Sequence, residues 1–233
     1  MPKKTKKVAI LQSNYIPWKG YFDLINMVDE FILYDDVKYT KNDWRNRNLI
    51  KTPNGLQWLT IPIYFKGKSF QKIKDAKISN RNWNIKHWKT IVQNYSKSKY
   101  FKEYREIFEP LYLECKEEFL SRVNHRFIKA ICPLLGIGTK ISWSMDYSLA
   151  EGKTERLVAL CRDAGAGHYI SGPAAKDYME EELFEEAGIG LSYMDYSGYP
   201  EYTQLFGKFE HGVSIIDLIF NAGPEAKKYM LSF

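Results

Sequence analysis

Val8-Ala9-Ile10-Leu11-Gln12-Ser13-Asn14-Tyr15-Ile16-Pro17-Trp18-Lys19-Gly20-Tyr21 reads as a strand, a polar loop and the opening of a helix. The apolar run Val8–Leu11 has the length and character of a buried strand. It breaks at Gln12, and Pro17 suits the first turn of a helix, where a missing N–H is no loss. Tyr21, Leu24, Ile25 and Val28 then recur at helical spacing. Phe31-Ile32-Leu33-Tyr34 is a second apolar run, closed by Asp35-Asp36. The chain therefore begins as a β-loop-α-β unit.

Outward from this unit, residues 37–55 are polar, aromatic and basic and read as a loop. Leu56–Ile63 reads as a third strand, ended by Pro62. Residues 82–136 read as helical, with a break near Pro110 and a stop at Gly136-Ile137-Gly138. Strands are expected at Lys140–Ser144, His168–Ser171 and Leu191–Met194, and helices over 154–164, 174–187 and 214–220. Alternation of strands and helices predicts an α/β fold, with a mostly parallel, Rossmann-like sheet covered on both faces. A single domain over residues 1–233, with a largely helical insert at about 82–137, accounts for the whole order.

No apolar run is long enough to span a bilayer, and the basic N-terminus lacks the apolar stretch of a secretory signal. Cys115, Cys132 and Cys161 are odd in number and lack ligand spacing, so they read as reduced thiols of a cytoplasmic protein. The net charge of +6 is unevenly spread: residues 1–102 carry +14 and residues 103–233 carry −8. From 66 to 102 there are 11 basic residues against Asp75 alone. Such a field attracts an anionic partner, or is a solvated lysine-rich face. Its interleaved Phe70, Trp83, Trp88, Tyr95, Tyr100 and Phe101 open a second reading, a non-catalytic binder of single-stranded nucleic acid or polysaccharide. No nucleic-acid motif accompanies the stretch, so a nucleic-acid partner is not expected.

Ligands of open α/β sheets bind beyond the carboxyl ends of strands, where loops meet helix N-termini. Gln12, Asn14, Tyr15, Gly20 and Tyr21 occupy that place at the first junction, either as a substrate cradle or as a plain capped turn. Asp36 ends the neighbouring strand on the same rim. Arg45, Asn46, Arg47 and Lys51 could clamp substrate phosphates, or be exposed loop charges. Ser171, Gly172 and Lys176 lie at another strand-to-helix turn, which suits an anion as well as a simple cap. Lys153 and Thr154 open the preceding helix, with Thr154 read as an N-cap. His87, flanked by Trp83 and Trp88, is either a general base or a packed surface histidine. Gln204 and Tyr202 sit between Gly198 and Gly207, in a loop that either closes over the site or only supports it. No phosphate-binding GxxxxGK[ST] loop, GxGxxG fingerprint, zinc pattern or GxSxG elbow occurs, so no metal is assigned.

The stretch Gln12-Ser13-Asn14-Tyr15-Ile16-Pro17-Trp18-Lys19-Gly20-Tyr21-Phe22-Asp23 resembles the opening motif of the WbqC-like family. Asn46–Lys51, Tyr169–Tyr178 and Ser214–Leu218 agree with the same pattern, in order along the chain. The resemblance implies a bacterial enzyme of O-antigen or capsule sugar biosynthesis. It implies transfer of glycine or a similar acyl unit to the amino group of a nucleotide-linked amino sugar. In that role Gln12, Tyr15 and Asp36 would position substrate, Arg47 and Lys51 would hold phosphates, and His87 would accept the proton. The strand followed by Pro-x-x-Gly-aromatic also resembles the signature loop of HIGH-type nucleotidyl transferases, which implies a HUP-like sheet and an ATP or ATP–Mg²⁺ cofactor. Tyr21 stands where that motif carries its second histidine, and it cannot supply positive charge there. No ligand spacing indicates a metal, although Asp35-Asp36 could hold Mg²⁺ with a nucleotide.

Overall fold

Val8, Ala9, Phe31, Ile32 and Leu33 are wholly buried, which follows from an apolar run with a helix layer on either side of it. A computed structural model describes residues 5–65, 67 and 70–233 of the chain. Strands β1 (Lys7–Leu11) and β2 (Glu30–Leu33) pair in parallel through helix α1 (Lys19–Asn26), with Ile10 opposite Ile32. β5 (Lys140–Trp143), β6 (His168–Ser171) and β7 (Gly190–Tyr193) complete a five-stranded parallel sheet, ordered β5-β2-β1-β6-β7. Side chains alternate between its faces. Ala9, Phe31 and Leu33 enter the larger core, whereas Val8, Ile10 and Ile32 enter a second one with Leu157, Cys161 and Phe184. That second core is covered by α5 (Thr154–Asp163) and α6 (Glu181–Glu186).

The insert lies between β2 and β5 and begins with a strand pair. β3 (Arg47–Thr52) and β4 (Gly55–Thr60) form an antiparallel hairpin outside the main sheet. Arg47–Thr52 was expected to be loop, and Leu56–Ile63 a plain third strand. The strand pattern of β3 is hidden because its buried positions include Asn48 and Lys51, which are satisfied by hydrogen bonds rather than by apolar packing. The hairpin turns at Gly55, whose φ of +98° is left-handed and free for glycine.

Helices α2 (Trp83–Tyr95), α3 (Phe101–Leu113) and α4 (Leu120–Leu134) follow. The expected break at Pro110 falls instead before and after α3, and Pro110 lies inside that helix. α7 (Ile215–Ala222) docks on the insert through Phe220, whose ring centroid is 5.0 Å from Phe101 and 5.1 Å from Phe108. The helix expected over 174–187 is split into a 3-10 turn at Pro173–Asp177 and α6. Thr154 does not cap α5 either. It is the first helical residue, and its hydroxyl accepts from the Glu180 amide at 3.3 Å, bracing that split.

Among the described residues no helix is long and apolar enough to cross a membrane. Cys132 and Cys161 are buried free thiols, and burial pushes both up to about 12; Cys115 is half-buried.

Candidate functional site

The strand order reverses between β1 and β6, because the chain runs from β1 outward to β5 and then returns to the other side of β1. Such a switch point leaves a crevice beyond the carboxyl ends of the two strands. A cavity of about 670 Å³ lies there. Leu11 and Gln12 continue β1 into it, Tyr34 continues β2, and Ser171, Gly172 and Pro173 continue β6. Gly152, Lys153, Arg156 and Leu157, from the first turn of α5 and the residues just before it, form a further wall. Trp44, Arg45, Tyr178 and Tyr196 reach in from loops.

Arg45, Lys153 and Arg156 give this lining three cations, and it contains no Asp or Glu. The free amides at the start of α5 add partial positive charge on the same side. Arg156 donates through Nε to the Ala150 carbonyl at 2.8 Å and also bonds the Tyr34 hydroxyl, with further N–H donors on the same guanidinium. Arg45 is half-buried and paired with Asp43 at 3.1 Å. Burial pushes the Tyr34 hydroxyl up, and the neighbouring Arg156 works against that rise. At the base, the Tyr169 ring stacks on Phe184 and its hydroxyl lies 3.2 Å from that of Ser171. The arrangement suits an anionic ligand with a flat ring.

The Gln12–Tyr21 loop is held from behind by the insert. Ser13 donates its amide to Asp35 Oδ1 at 2.9 Å, and the Ser121 hydroxyl donates to Asp35 Oδ2. Asn124 Nδ2 reaches the Ser13 carbonyl at 3.2 Å and the Arg45 carbonyl at 2.9 Å. Ile16 has φ of +37°, an outlier for a β-branched residue. Its carbonyl accepts from Asn48 Nδ2 at 3.0 Å and from the Ser214 hydroxyl at 2.7 Å, which holds the strained turn. Four widely separated segments thus fix one loop.

Several residues expected at the site serve this scaffold. Tyr21 donates to the Gln12 carbonyl at 3.0 Å and is otherwise buried against Phe22 and Phe31. Gly20 is needed because the Trp18 ring lies where a Cβ would stand. Tyr15 is fully buried, with its hydroxyl 2.9 Å from His87 Nδ1 and 3.0 Å from the Tyr112 hydroxyl. His87 is 7% exposed, and burial lowers its pKa to about 4. Both ring nitrogens are engaged, Nε2 by the Thr60 carbonyl at 3.2 Å and Nδ1 by the Tyr15 hydroxyl. His87 lines no part of the crevice.

Asp36 is buried, and neither it nor its partners line the crevice. Burial alone would raise its carboxyl, but Lys74 at 2.7 Å, Ser144 at 3.0 Å and Lys72 at 3.5 Å outweigh burial and hold it ionised. Asp35 is sealed, its carboxyl pushed up by burial, with both oxygens engaged. The Asp35-Asp36 pair therefore does not fit a Mg²⁺ ion, which needs oxygens free to coordinate. Among the described residues no group of three or more His, Cys, Asp or Glu side chains converges.

Lys51 and Gln204 meet each other, Nζ to Oε1 at 2.7 Å, away from the crevice. Gln204 also donates to Asp217 at 2.9 Å, and Tyr95 and Tyr202 donate to the same carboxylate at 2.8 Å each. The late loop is thus a packed strap over α7, anchored further by Lys19 Nζ on the Pro200 carbonyl at 2.9 Å. Asn46 is buried, its Nδ2 on the Ile61 carbonyl. Arg47 lies 4.0 Å from the centroid of the Trp58 ring, and Lys176 is exposed beside Tyr193. Trp83, Trp88, Tyr95 and Phe101 are core residues and Tyr100 is half-buried, so among the described residues of the basic stretch only Phe70 of the six rings is well exposed. Lys66 and Lys68 of that stretch lie outside the described residues.

Of the expected residues, the crevice gathers Gln12, Arg45, Ser171 and Gly172. Asn14 faces a second cavity of about 320 Å³, which shares Trp44 with the first. Tyr34, Trp44, Arg156, Tyr178 and Tyr196 were missed. One signal was available: Lys153 and Arg156 lie three apart at a helix start, hence on one face.

A profile of the WbqC-like protein family matches residues 12–229, and the chain belongs to that family. It is 53% identical over 225 residues to the "Uncharacterized protein Rv1507c" of Mycobacterium tuberculosis, covering 97% of each chain. No solved structure matches it significantly.

Proposed function

We propose that this member of the WbqC-like family is an enzyme that binds a nucleotide-linked amino sugar in the switch-point crevice. It transfers glycine or a similar acyl unit to the sugar's amino group, in the biosynthesis of O-antigen or capsule sugars. The observation that carries this reading is a crevice lined by three cations, one of them paired with Asp43, and by no Asp or Glu, at the strand reversal of a Rossmann-like sheet. A diphosphate would lie against Arg45, Lys153, Arg156 and the α5 N-terminus, where bidentate guanidinium contacts are strongest. Tyr34, Tyr178 and Tyr196 would flank the base and ribose.

In the transfer, the amine lone pair attacks the carbonyl of a donor whose carboxyl is already activated as a phosphoric anhydride or thioester, the phosphate or thiolate departs with the bond electrons, and the amine loses one proton. His87 is bound at both ring nitrogens, so in this reading it supports the insert. The proton leaves through the open side of the crevice, which requires an amine already partly neutral at the working pH. The reaction is tested by incubating the protein with UDP- or dTDP-linked amino sugars, glycine and ATP. Mass spectrometry should find a product heavier by one glycyl unit, with activity lost in Arg156→Ala. A full panel without any acylated product, at enzyme concentrations comparable to substrate, would contradict the transfer.

A further inference from the structure

The second cavity is lined by Asn14, Pro17, Trp18, Trp44, Asn48 and Gly212, none of them charged. It touches the crevice at two places. Trp44 lines both, and Trp18 packs edge-on against Tyr196, a crevice residue, with centroids 5.2 Å apart. The Asn14 side-chain oxygen is buried without a hydrogen-bond partner. An orphaned buried acceptor of this kind costs stability unless a ligand or water donates to it. The Ile16 turn, with φ of +37° and its carbonyl held by Asn48, leads directly into the lining residues Pro17 and Trp18.

We propose that this second cavity is the sugar subsite of the nucleotide-linked substrate, with the ring against Trp18 and Trp44 and a sugar hydroxyl or amino N–H donated to Asn14 Oδ1. The inference rests on the nucleotide reading of the crevice. Charge divides the two cavities: three cations suit the diphosphate, and neutral aromatic walls suit the C–H faces of a pyranose. Size agrees, since the second cavity is far larger than glycine requires and matches a substituted hexose. The crevice and the annexe, which share Trp44 in their walls, would accept the two halves of one ligand.

Gly212 offers a way to fill the annexe alone, because a Cβ built there meets nothing within 4 Å. Gly212→Leu should unfold at the wild-type temperature. Calorimetric titration should give unchanged affinity for UDP or dTDP, and roughly tenfold or greater weakening for the corresponding nucleotide-linked amino sugar. Asn14→Ala should weaken the same ligand by a smaller factor and also spare the nucleoside diphosphate. Equal affinity of wild type and Gly212→Leu for the nucleotide sugar would overturn the proposal, while UDP or dTDP binding would keep the crevice reading intact. If wild type binds no nucleotide, the crevice reading fails, and saturation-transfer NMR with free glucosamine decides the annexe alone. A signal lost in Gly212→Leu supports it; no signal, or one unchanged by Gly212→Leu, overturns it.

Discussion

The crevice and the helical insert are built from similar residues and use them in opposite ways. Both combine tyrosines, tryptophan and polar side chains with nearby cations. In the insert the polar tips meet one another: Tyr15 meets His87 and Tyr112, and the Trp88 indole donates to Glu109 at 2.9 Å. In the crevice capacity is left over: Arg45 pairs with Asp43, but Arg156 keeps N–H donors beyond those given to Ala150 and Tyr34, and Lys153 is exposed. Aromatic and ionisable groups in sequence proximity therefore do not mark a site by themselves. What separates the regions is whether hydrogen-bonding capacity is satisfied within the fold or left at a strand end.

The largest test of this contrast is Phe127→Ala. Phe127 is fully buried against Tyr15 and Tyr112, and its loss should destabilise the fold by about 3–5 kcal/mol in denaturant titrations. The protein that remains folded should bind nucleotide with the wild-type dissociation constant. A large change in that constant would break the separation between insert and crevice.

His87 gives the next effect. Its folded pKa of about 4 lies below the value near 6.5 expected when unfolded, so between them the unfolded chain binds more protons. Stability contributed by His87 is full above about pH 6.5 and falls as pH drops toward about 4, by up to about 3 kcal/mol. His87→Gln should flatten that acid limb of the unfolding curve and leave the pH profile of the transfer in place. A lost inflection in the transfer profile would instead make His87 a participant.

Arg156→Ala should act in the reverse sense. It should cost about 2 kcal/mol of nucleotide binding, roughly thirtyfold in affinity, with little change in unfolding. An unchanged affinity would remove Arg156 from the phosphate site. Lys176→Ala should do least, within about 0.5 kcal/mol in stability and about twofold in affinity, because the side chain is exposed and lines neither cavity.

The parallel sheet was legible because Val8–Leu11, Phe31–Leu33 and Tyr169–Ile170 are apolar on both faces, a pattern that local composition carries. β3 was not, since Asn48 and Lys51 are buried through bonds to partners distant in sequence. The same limit governed the site. Gln12, Ser171 and Gly172 follow directly from strand ends, so position alone revealed them. Arg156 sits within a helix and Trp44 in an irregular loop, and only the tertiary fold brings them to the crevice. Lys51 and Gln204 were sought as ligand contacts, and they hydrogen-bond each other. His87 misled for the reason already given: flanking tryptophans describe a packed core as well as a pocket.

The central claim, that the β1–β6 crevice holds the nucleotide, is tested most directly at Gly172. Its φ of −73° and ψ of 154° suit any residue before a proline, and a Cβ there meets nothing within 4 Å. Gly172→Leu should therefore fold normally and place a side chain in the wall of the crevice that obstructs the ligand. Calorimetric titration with UDP- and dTDP-linked amino sugars should give binding to wild type with at least one of them, and none to Gly172→Leu, with equal thermal midpoints for the two proteins. Equal binding by both proteins, or no binding of any nucleotide to wild type, would contradict the account.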